Sequence, residues 1–314
     1  MKQPFHIAFC VDNPYFRSMG ATISSIAANN PEIHFVIHVF AFDVSDDQRR
    51  RLAKLESAFN LSTCLHIIDP SVFNQFAHFT QSSYYSASIF TRLLIPTVLH
   101  GTAKKVLYLD ADILCVGSID ELVRMDISDT IAAVVPDAEA TTERRTVALG
   151  LKNRKYFNSG VMLMNVDLWM ANAISEQTMA AILKDGSQYR FPDQDALNVV
   201  LDGRARFIGK KWNYLYGLVG DLEADRRKLD IKEGEAVFIH FAGAVKPWNN
   251  WSGHESRNLF AKYHAMSPWS DMPMDEVPQN YKEMRMFSRF LFKRRRFADS
   301  IRWYFRYLSK KVAR

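Results

Sequence analysis

The run from Lys105 to Leu114 limits the possible folds of this chain more than any other stretch. Its first part, Lys105–Leu109, is a short apolar segment typical of a buried parallel strand, and Asp110 and Asp112 follow directly. The carboxyl edge of such a strand is where open α/β sheets bind ligands. Residues two apart in an extended chain point the same way, so both carboxylates can face one divalent cation. Mg²⁺ and Mn²⁺ prefer such oxygen ligands, and a diphosphate commonly supplies the others.

Two other interpretations fit the carboxylate pair taken alone. Asp110 and Asp112 could be solvated loop residues that merely follow a strand. They could also form a phosphatase-type Asp-x-Asp pair, in which the first Asp is a nucleophile and the second an acid or base. That pair normally follows the first strand of its domain, whereas this one lies about a third of the way along the chain. The surrounding residues must distinguish the metal site from these two interpretations.

Strand-like and helix-like patterns alternate ahead of the pair. The predicted elements are strands at His6–Val11, Ile33–Phe40 and Thr63–Ile68, with a helix over Asp46–Phe59 capped by Ser45. Such alternation gives right-handed crossovers and a parallel sheet. The expected fold class is therefore α/β.

The turn after the first strand carries candidate nucleotide contacts. It reads Asp12-Asn13-Pro14-Tyr15 and not Gly-x-Gly-x-x-Gly, which argues against a dinucleotide fingerprint. Its carboxylate can accept hydrogen bonds from a base or ribose, and its aromatic ring can stack. A turn selected only for its backbone conformation explains the same residues equally well.

Arg92 lies among apolar residues of a predicted short helix, Ala87–Ile95, just ahead of the strand that bears Asp110. Either it is a surface residue with a buried stem, or it reaches a phosphate.

Further polar residues follow later strands. The predicted strand Ile131–Val135 ends next to Asp137, and Asn158 lies in the strand Phe157–Asn165. Residues 138–155 are polar and poor in strand or helix pattern, so they are predicted to form a mobile flap.

A helix is predicted to begin at Pro192, with Asp193 and Gln194 in its first turn. Ordinary N-terminal helix acids are the simpler interpretation of its carboxylates, since that end of a helix favours negative charge.

A late strand, Ala236–His240, ends in a histidine, which more often has a structural role than a ligand role. Here Gly243 and Lys246 follow it. An imidazole, a backbone that permits close approach and a phosphate-seeking ammonium therefore occur together.

The net charge of +6 arises at the C-terminal end. Residues 280–314 hold 12 Lys and Arg against two acidic residues, whereas the rest holds 28 against 32. On a helical wheel the apolar residues share one face: Phe287, Phe290, Leu291, Phe297, Ile301, Tyr304, Phe305 and Leu308. The opposite side carries Arg285, Arg289, Lys293, Arg296, Arg306 and Lys310. This pattern predicts an amphipathic helical tail that lies on an anionic membrane surface.

The predicted organisation is a catalytic domain, residues 1–266, and a membrane-associating tail, residues 267–314, with a proline-containing hinge at 267–280. Neither a signal peptide nor a membrane-spanning stretch is recognisable, and three cysteines give no pairing framework, so a cytoplasmic location is expected. RNA binding by the arginines at 294–296 is a rival interpretation, but it leaves Asp110, Asp112 and His240 without a role. No nucleic acid partner is expected.

Taken together and in order, these motifs resemble glycosyltransferase family 8, the retaining nucleotide-sugar transferases of the GT-A fold, which has a Rossmann-like mixed sheet flanked by helices. The resemblance covers roughly residues 5–265. Its pieces are Val11-Asp12-Asn13-x-Tyr15, Arg92, Tyr108-Leu109-Asp110-Ala111-Asp112, Tyr156-Phe157-Asn158-Ser159-Gly160-Val161, Asp193-Gln194-Asp195 and His240-Phe241-x-Gly243-x-x-Lys246-Pro247-Trp248. Ser267-Pro268-Trp269 and the basic tail are similar to the bacterial lipopolysaccharide core α-hexosyltransferases.

The resemblance implies a role for each matched residue. Asp110, Asp112 and His240 would ligate Mn²⁺ or Mg²⁺. The nucleotide and diphosphate would contact Asp12, Asn13, Tyr15, Ala111, Gly243 and Lys246. The donor sugar would be surrounded by Arg92, Asp137, Asn158, Asp193 and Gln194. Pro14 departs from the family motif, which leaves Tyr15 the least secure of the uridine contacts.

The implied reaction moves glucose or galactose from a UDP-sugar to a hexose of the lipopolysaccharide outer core, through a 1,3 or 1,2 linkage. Another glycolipid or glycan is the alternative acceptor. Asp137, Asp193 and Gln194 are the catalytic candidates, and front-face attack is favoured, with the carbonyl dipole of Gln194 stabilising the oxocarbenium-like centre. The protein would be peripheral on the cytoplasmic face of the inner membrane. Neither the hexose nor the linkage follows from the sequence.

Overall fold

The protein is described by a computed structural model over residues 3–76 and 87–312. In these ranges the strands are β1 Phe5–Cys10, β2 Phe35–Ala41, β3 Leu61–Ile67, β4 Lys105–Leu109, β5 Ile113–Cys115, β6 Ala132–Pro136, β7 Phe157–Asn165, β8 Ala205–Phe207, β9 Tyr214–Leu215 and β10 Phe238–His240. They form a seven-stranded sheet of order β3-β2-β1-β4-β7-β6-β8 and a three-stranded sheet of order β5-β10-β9.

Helices cover both faces of the large sheet. The α-helices are α1 Phe16–Asn29, α2 Asp46–Ala58, α3 Ile95–Leu99, α4 Asp120–Arg124, α5 Glu139–Ala148, α6 Val166–Ala171, α7 Ile174–Asp185, α8 Pro192–Val200, α9 Leu218–Glu223, α10 Ser256–Met266, α11 Tyr281–Lys293 and α12 Phe297–Val312. Short 3₁₀ helices lie at Asn13–Tyr15, Pro70–Phe76, Ala87–Leu94, Gly186–Gln188, Lys210–Asn213 and Asn250–Ser252.

The direction of β7 brings Asn158, one of the predicted donor-sugar residues (the sugar side), toward Asp110, one of the predicted metal ligands (the metal side). Every neighbouring pair in the large sheet is parallel except β7, which runs antiparallel to both β4 and β6. Leu109, the last residue of β4, pairs with Val161 of β7. Residues before Val161 therefore lie beside Asp110 at the carboxyl edge of β4. The sheet is therefore mixed. The family resemblance implied a mixed sheet, whereas strand–helix alternation alone predicted a parallel one.

The early elements confirm the predicted α/β pattern. The predicted first three strands and the helix after Ser45 are present, with ends shifted by one or two residues. Ser45 caps that helix, since its hydroxyl accepts a hydrogen bond from Gln48 N at 3.3 Å. Along β1, Ile7 and Phe9 pack on the α1 side of the sheet and Ala8 packs on the other, as expected for a strand buried on both faces.

The predicted flap at 138–155 is wrong in its first part. Residues Glu139–Ala148 form helix α5, and Arg145 and Thr146 on this helix are buried. The helix was missed because polar residues dominate it and its buried side is held by charge pairing rather than by an apolar stripe.

The C-terminal residues form a hairpin of two helices rather than one continuous helix. The chain breaks between α11 and α12, where Arg295 adopts a left-handed φ of 59°. The apolar face is divided accordingly: Phe290 and Leu291 are buried, and the ring of Phe290 stacks on Trp251. Phe297, Ile301 and Phe305 of α12 are at least half exposed.

The predicted hinge at 267–280 is anchored to the first two helices. Trp269 is fully buried, with its ring against Gly20 of α1 and its indole N–H donating to Gln48 at 2.6 Å. Arg51 of α2 pairs with Asp271, and Arg17 of α1 pairs with Asp275. Among the described helices, none combines the length and apolar character needed to cross a bilayer.

Candidate active site

The ends of β4 and β10 bring together a cluster of possible metal ligands. Asp110 and Asp112 follow β4, and His240 ends β10, which pairs antiparallel with β5 so that His240 lies opposite Ile113. Nε2 of His240 lies 3.2 Å from Oδ1 of Asp112 and 3.8 Å from Oδ2 of Asp110. One ligand atom from each residue falls within 4.8 Å of the other two. Two carboxylates and an imidazole suit Mn²⁺ or Mg²⁺ and leave positions for diphosphate oxygens.

Gly160 makes room for this cluster. A Cβ at position 160 would lie 2.5 Å from Cε1 of His240 and 2.7 Å from Oδ2 of Asp110. The backbone of β7 also holds the loop in place, because Gly160 O accepts a hydrogen bond from Asp110 N at 2.8 Å. Only glycine allows β7 to approach the cluster this closely.

Lys246 supplies positive charge beside the cluster. Its ammonium contacts Oδ2 of Asp112 and donates to Phe241 O at 2.9 Å. Burial alone would raise the pKa of Asp112, but the charges of Lys246 and His240 outweigh it and lower this pKa. Burial would likewise lower the pKa of His240, yet Asp112 and Asp110 raise it. The cluster thus combines two carboxylates with the cationic groups of Lys246 and His240.

Arg92 links the metal side of the site to the sugar side. Its buried guanidinium lies 3.2 Å from Oδ1 of Asp110 and 3.3 Å from Oδ2 of Asp193. It also lies over the ring of Tyr108, with Cζ 4.7 Å from the ring centroid. The surface interpretation of Arg92 is therefore wrong: the residue is buried and paired.

Gln194 lies at the centre of a hydrogen-bond network on the sugar side. Its side-chain oxygen accepts from Ser159 N at 3.0 Å and from Asn158 Nδ2 at 3.2 Å. Its side-chain nitrogen donates to Asp137 Oδ2 and to Tyr156 Oη, both at 2.9 Å. Burial raises the pKa of Asp137 and of Asp193. Because its donors Asn158 and Ser159 belong to β7, the carbonyl oxygen of Gln194 points toward that strand.

Several residues of this network were not assigned roles from the sequence. Asp195 is fully buried, and its carboxylate accepts from Tyr156 Oη at 2.6 Å and from Arg145 Nη2 at 2.6 Å. Asn213 bonds both His240 and Asn158, at 2.9 Å each. The Asp-x-Asp spacing across Gln194 was a usable signal for Asp195. For Arg145 and Asn213 the sequence holds no comparable signal, because only the tertiary fold brings them to the site.

The predicted nucleotide contacts lie at the neighbouring strand end. Asp12 directly precedes the 3₁₀ turn Asn13–Tyr15 after β1, and β1 pairs with β4. The ring of Tyr15 meets Trp248 edge-on, with centroids 6.0 Å apart. Gly243 is exposed and has a left-handed φ of 102°. Ala111 is buried between the two carboxylates. The predicted residues therefore lie at the carboxyl ends of β1 and β4 in the large sheet and after β10 in the small sheet.

Comparison with known families decides what kind of protein carries this site. The model named Glycosyl transferase family 8 matches residues 6–252, and the model named Glycosyl transferase family 8 C-terminal matches residues 255–311. The chain belongs to glycosyl transferase family 8. The family resemblance seen in the sequence is confirmed, and the second match places the α11–α12 hairpin inside a recognised C-terminal unit.

Similar family 8 proteins act on lipopolysaccharide. A lipopolysaccharide 1,3-galactosyltransferase of Salmonella typhimurium strain LT2 is 30% identical over 322 residues, which cover 98% of this chain and 91% of that protein. A lipopolysaccharide 1,2-glucosyltransferase of Escherichia coli is 28% identical over 307 residues, which cover 96% of this chain and 89% of that protein.

A solved galactosyltransferase structure has the same fold. The galactosyltransferase LgtC, crystallised with donor and acceptor sugar analogs, superimposes with a TM-score of 0.71 at 20% identity, covering 88% of this chain and 99% of LgtC. This likeness confirms the expected GT-A fold class. This chain is thus a glycosyltransferase whose candidate residues lie where the large and small sheets meet.

Proposed function

We propose that this protein is a metal-dependent, retaining α-hexosyltransferase that moves glucose or galactose from a UDP-sugar to a hexose of the lipopolysaccharide core. The observation that carries the proposal is the Asp110–Asp112–His240 cluster, with ligand atoms within 4.8 Å of one another and Lys246 beside it. The names of the two lipopolysaccharide transferases that align over nearly the whole chain support the acceptor class.

Asp110, Asp112 and His240 would hold Mn²⁺ or Mg²⁺. The ion, when bound, would neutralise negative charge on the diphosphate leaving group. Lys246 would contribute to the same task through its ammonium, which the fold holds in place at Asp112 and Phe241 O. Gly243, a few residues earlier, would let the backbone approach the diphosphate.

The uridine would lie at the end of β1. Asp12 and Asn13 offer polar groups for the base and ribose, and Tyr15 offers a ring held against Trp248. Ala111, buried between Asp110 and Asp112, would be a further contact of the nucleotide.

The sugar-side residues favour front-face attack over a covalent intermediate. Asp193 is paired with Arg92 at 3.3 Å, and Asp137 accepts hydrogen bonds from Gln194 and Ala138. Carboxylates engaged in this way are weak nucleophiles. Front-face attack needs no protein nucleophile: the acceptor hydroxyl enters beside the leaving group, whose phosphate oxygen takes its proton. Gln194, Asp137 and Asn158 would then position the donor sugar.

The C-terminal hairpin would place the enzyme on the cytoplasmic face of the inner membrane. Helix α12 exposes Phe297, Ile301, Tyr304 and Phe305, and basic residues flank them. A cavity of about 440 Å³ between α11 and α12 is lined by some of these residues together with Arg289 and Lys293. Aromatic side chains at the acyl boundary and cations at anionic headgroups are the features of an interfacial attachment. In this proposal residues 1–266 perform catalysis and residues 267–314 provide attachment.

A donor-consumption assay tests the proposal. The protein is incubated with UDP-glucose or UDP-galactose and Mn²⁺, with and without truncated lipopolysaccharide, and released UDP is measured. One donor should be consumed much faster than the other, and the acceptor should accelerate its consumption. Release that is equal for both donors and indifferent to the acceptor would refute the assigned substrates.

A further inference from the structure

The orientation of the metal ligand His240 depends on a side chain outside the predicted site. Asn213 ends the 3₁₀ helix Lys210–Asn213, just before β9, which runs alongside β10. It is 2% exposed, and it bonds the ring of His240 on one side and Asn158 on the other. Asn213 therefore links the predicted metal ligand His240 to Asn158 on the sugar side, as Arg92 links Asp110 to Asp193.

Backbone hydrogen bonds determine which way each amide points. Gly160 N–H can only donate, and it lies 3.0 Å from one side-chain atom of Asn158, so that atom is the carbonyl oxygen. Asn213 bonds the same oxygen at 2.9 Å and must therefore donate to it with its nitrogen. The remaining Asn213 atom, which faces His240, is consequently its oxygen.

This orientation determines the tautomer of His240. The oxygen of Asn213 lies 2.9 Å from Nδ1 of the ring and can only accept, so Nδ1 carries a proton. Nε2 is then the ring nitrogen that faces Asp112 Oδ1 at 3.2 Å and Asp110 Oδ2 at 3.8 Å. A metal-bound histidine needs this arrangement, in which the second nitrogen is held by an acceptor.

We propose that Asn213 is the positioning residue of the metal centre: its oxygen fixes Nδ1–H of His240 and presents Nε2 to the ion, while its nitrogen ties that ligand to Asn158. The inference rests on the proposed metal site, and it assigns Asn213 no contact with the substrate. A second consequence is that a displacement of Asn158 reaches His240 through the side chain of Asn213.

Two substitutions separate the two contacts. Asn213→Leu removes both, and we expect the Kd for Mn²⁺ to rise about 10- to 100-fold, the usual effect of losing a group that holds a metal-bound histidine. Asn213→Asp keeps the shape and an oxygen for Nδ1–H, so the Kd should stay within about threefold of wild type. Its second oxygen faces the oxygen of Asn158, so kcat should fall about tenfold or more through displacement of the sugar-side amides.

Mn²⁺ titration followed by electron paramagnetic resonance measures the affinity without any turnover. The matched control is Asn30→Leu: Asn30 is 5% exposed and accepts from Ile119 N at 2.8 Å, away from the site, so this variant should bind Mn²⁺ as wild type does. Should Asn213→Leu fail to fold, Asn213→Ala takes its place, and thermal unfolding of each variant reports its stability.

Wild-type Mn²⁺ affinity in the folded Leu or Ala variant would overturn the inference, as would an Asp variant that loses metal affinity as severely as Leu. Failure of the wild-type protein to bind Mn²⁺ is a different result, because it would refute the proposed metal centre itself.

Discussion

The α-carbon of Gly160 approaches His240 so closely that a methyl group there would lie 2.5 Å from the ring carbon Cε1. Asp110 Oδ2 and Asn158 Oδ1 would be within 2.9 Å of the same methyl group. Strand β7 therefore forms one wall of the proposed metal centre, and the wall has no side chain where the ligands converge.

Gly160→Ala tests this wall. The added methyl group should push the ligands apart, so we expect kcat to fall by about 100-fold or more and Mn²⁺ affinity to fall with it. Kinetic assays and Mn²⁺ titration provide the measurements. Gly150→Ala is not a suitable control because its φ is 63°; Gly209→Ala is, since a Cβ there meets nothing within 4 Å. Normal activity in the Gly160 variant would count against the site.

Tyr156 should act on catalysis through Gln194. Tyr156→Phe removes the oxygen that accepts from Gln194 Nε2 at 2.9 Å, so the amide loses one of its constraints. We expect kcat to fall about 10- to 100-fold with little change in KM for the donor. Tyr216→Phe is the matched control, since its hydroxyl makes a 2.6 Å bond to Asp221 as Tyr156 does to Asp195. If the Tyr156 effect adds in full to that of Gln194→Ala, the two residues act independently and the prediction is wrong.

The protein should become less stable as the pH falls below about 6.5, because three histidines stack on three adjacent strands. His38 lies between His6 and His66, with nitrogen–nitrogen distances of 2.9 and 3.0 Å. Burial, with a contribution from the charges of its two neighbours, lowers the pKa of His38 to about 3. The unfolded chain therefore binds the proton first, and each proton costs about 1.4 kcal/mol of stability per pH unit.

Thermal unfolding between pH 7.5 and pH 5.5 measures this effect. His38→Leu should flatten the pH dependence, whereas His34→Gln, at an exposed histidine, should leave it as in wild type. An unchanged slope in the His38 variant would show that other groups cause the acid sensitivity.

Membrane attachment should depend on the exposed residues of α12 and not on the buried ones of α11. Replacing Phe297, Ile301 and Phe305 with Ser should weaken binding to anionic vesicles and leave transfer to a soluble acceptor intact, since these residues are 50 to 65% exposed. Leu291→Ser should instead destabilise the fold, because Leu291 is 1% exposed. Val147→Ser, at an 82% exposed residue of α5, is the control for vesicle sedimentation. Full vesicle binding by the triple variant would place the contact elsewhere.

The sequence was informative where local pattern and chemistry coincide. Asp110 and Asp112 follow the end of β4 and His240 ends β10, so strand prediction and the family motif together were enough to group them. The reversal of β7 was not evident from periodicity, because a buried strand has the same apolar pattern in either direction. Helix α5 was missed because an ion pair, Arg145 with Asp195, holds its buried side. The break between α11 and α12 was missed because it depends on the backbone conformation of one residue, Arg295.

Residues that act through other residues were the least predictable. Asn213 lies 27 positions from His240 and 55 from Asn158 along the chain, and only the tertiary fold brings the three together. An asparagine between a tryptophan and a tyrosine gives no pattern that distinguishes it from any other buried amide.

The most direct test of the account is transfer of labelled hexose from UDP-glucose and UDP-galactose to truncated lipopolysaccharide, with the product anomer determined by NMR. Wild-type enzyme with Mn²⁺ should form an α-linked product from one donor, and chelation of the metal should abolish the reaction until Mn²⁺ is restored. Asp112→Asn and His240→Ala should each lose activity by several orders of magnitude, on the order of 10³-fold. Undiminished transfer in the presence of a chelator, or a β-linked product, would contradict the account.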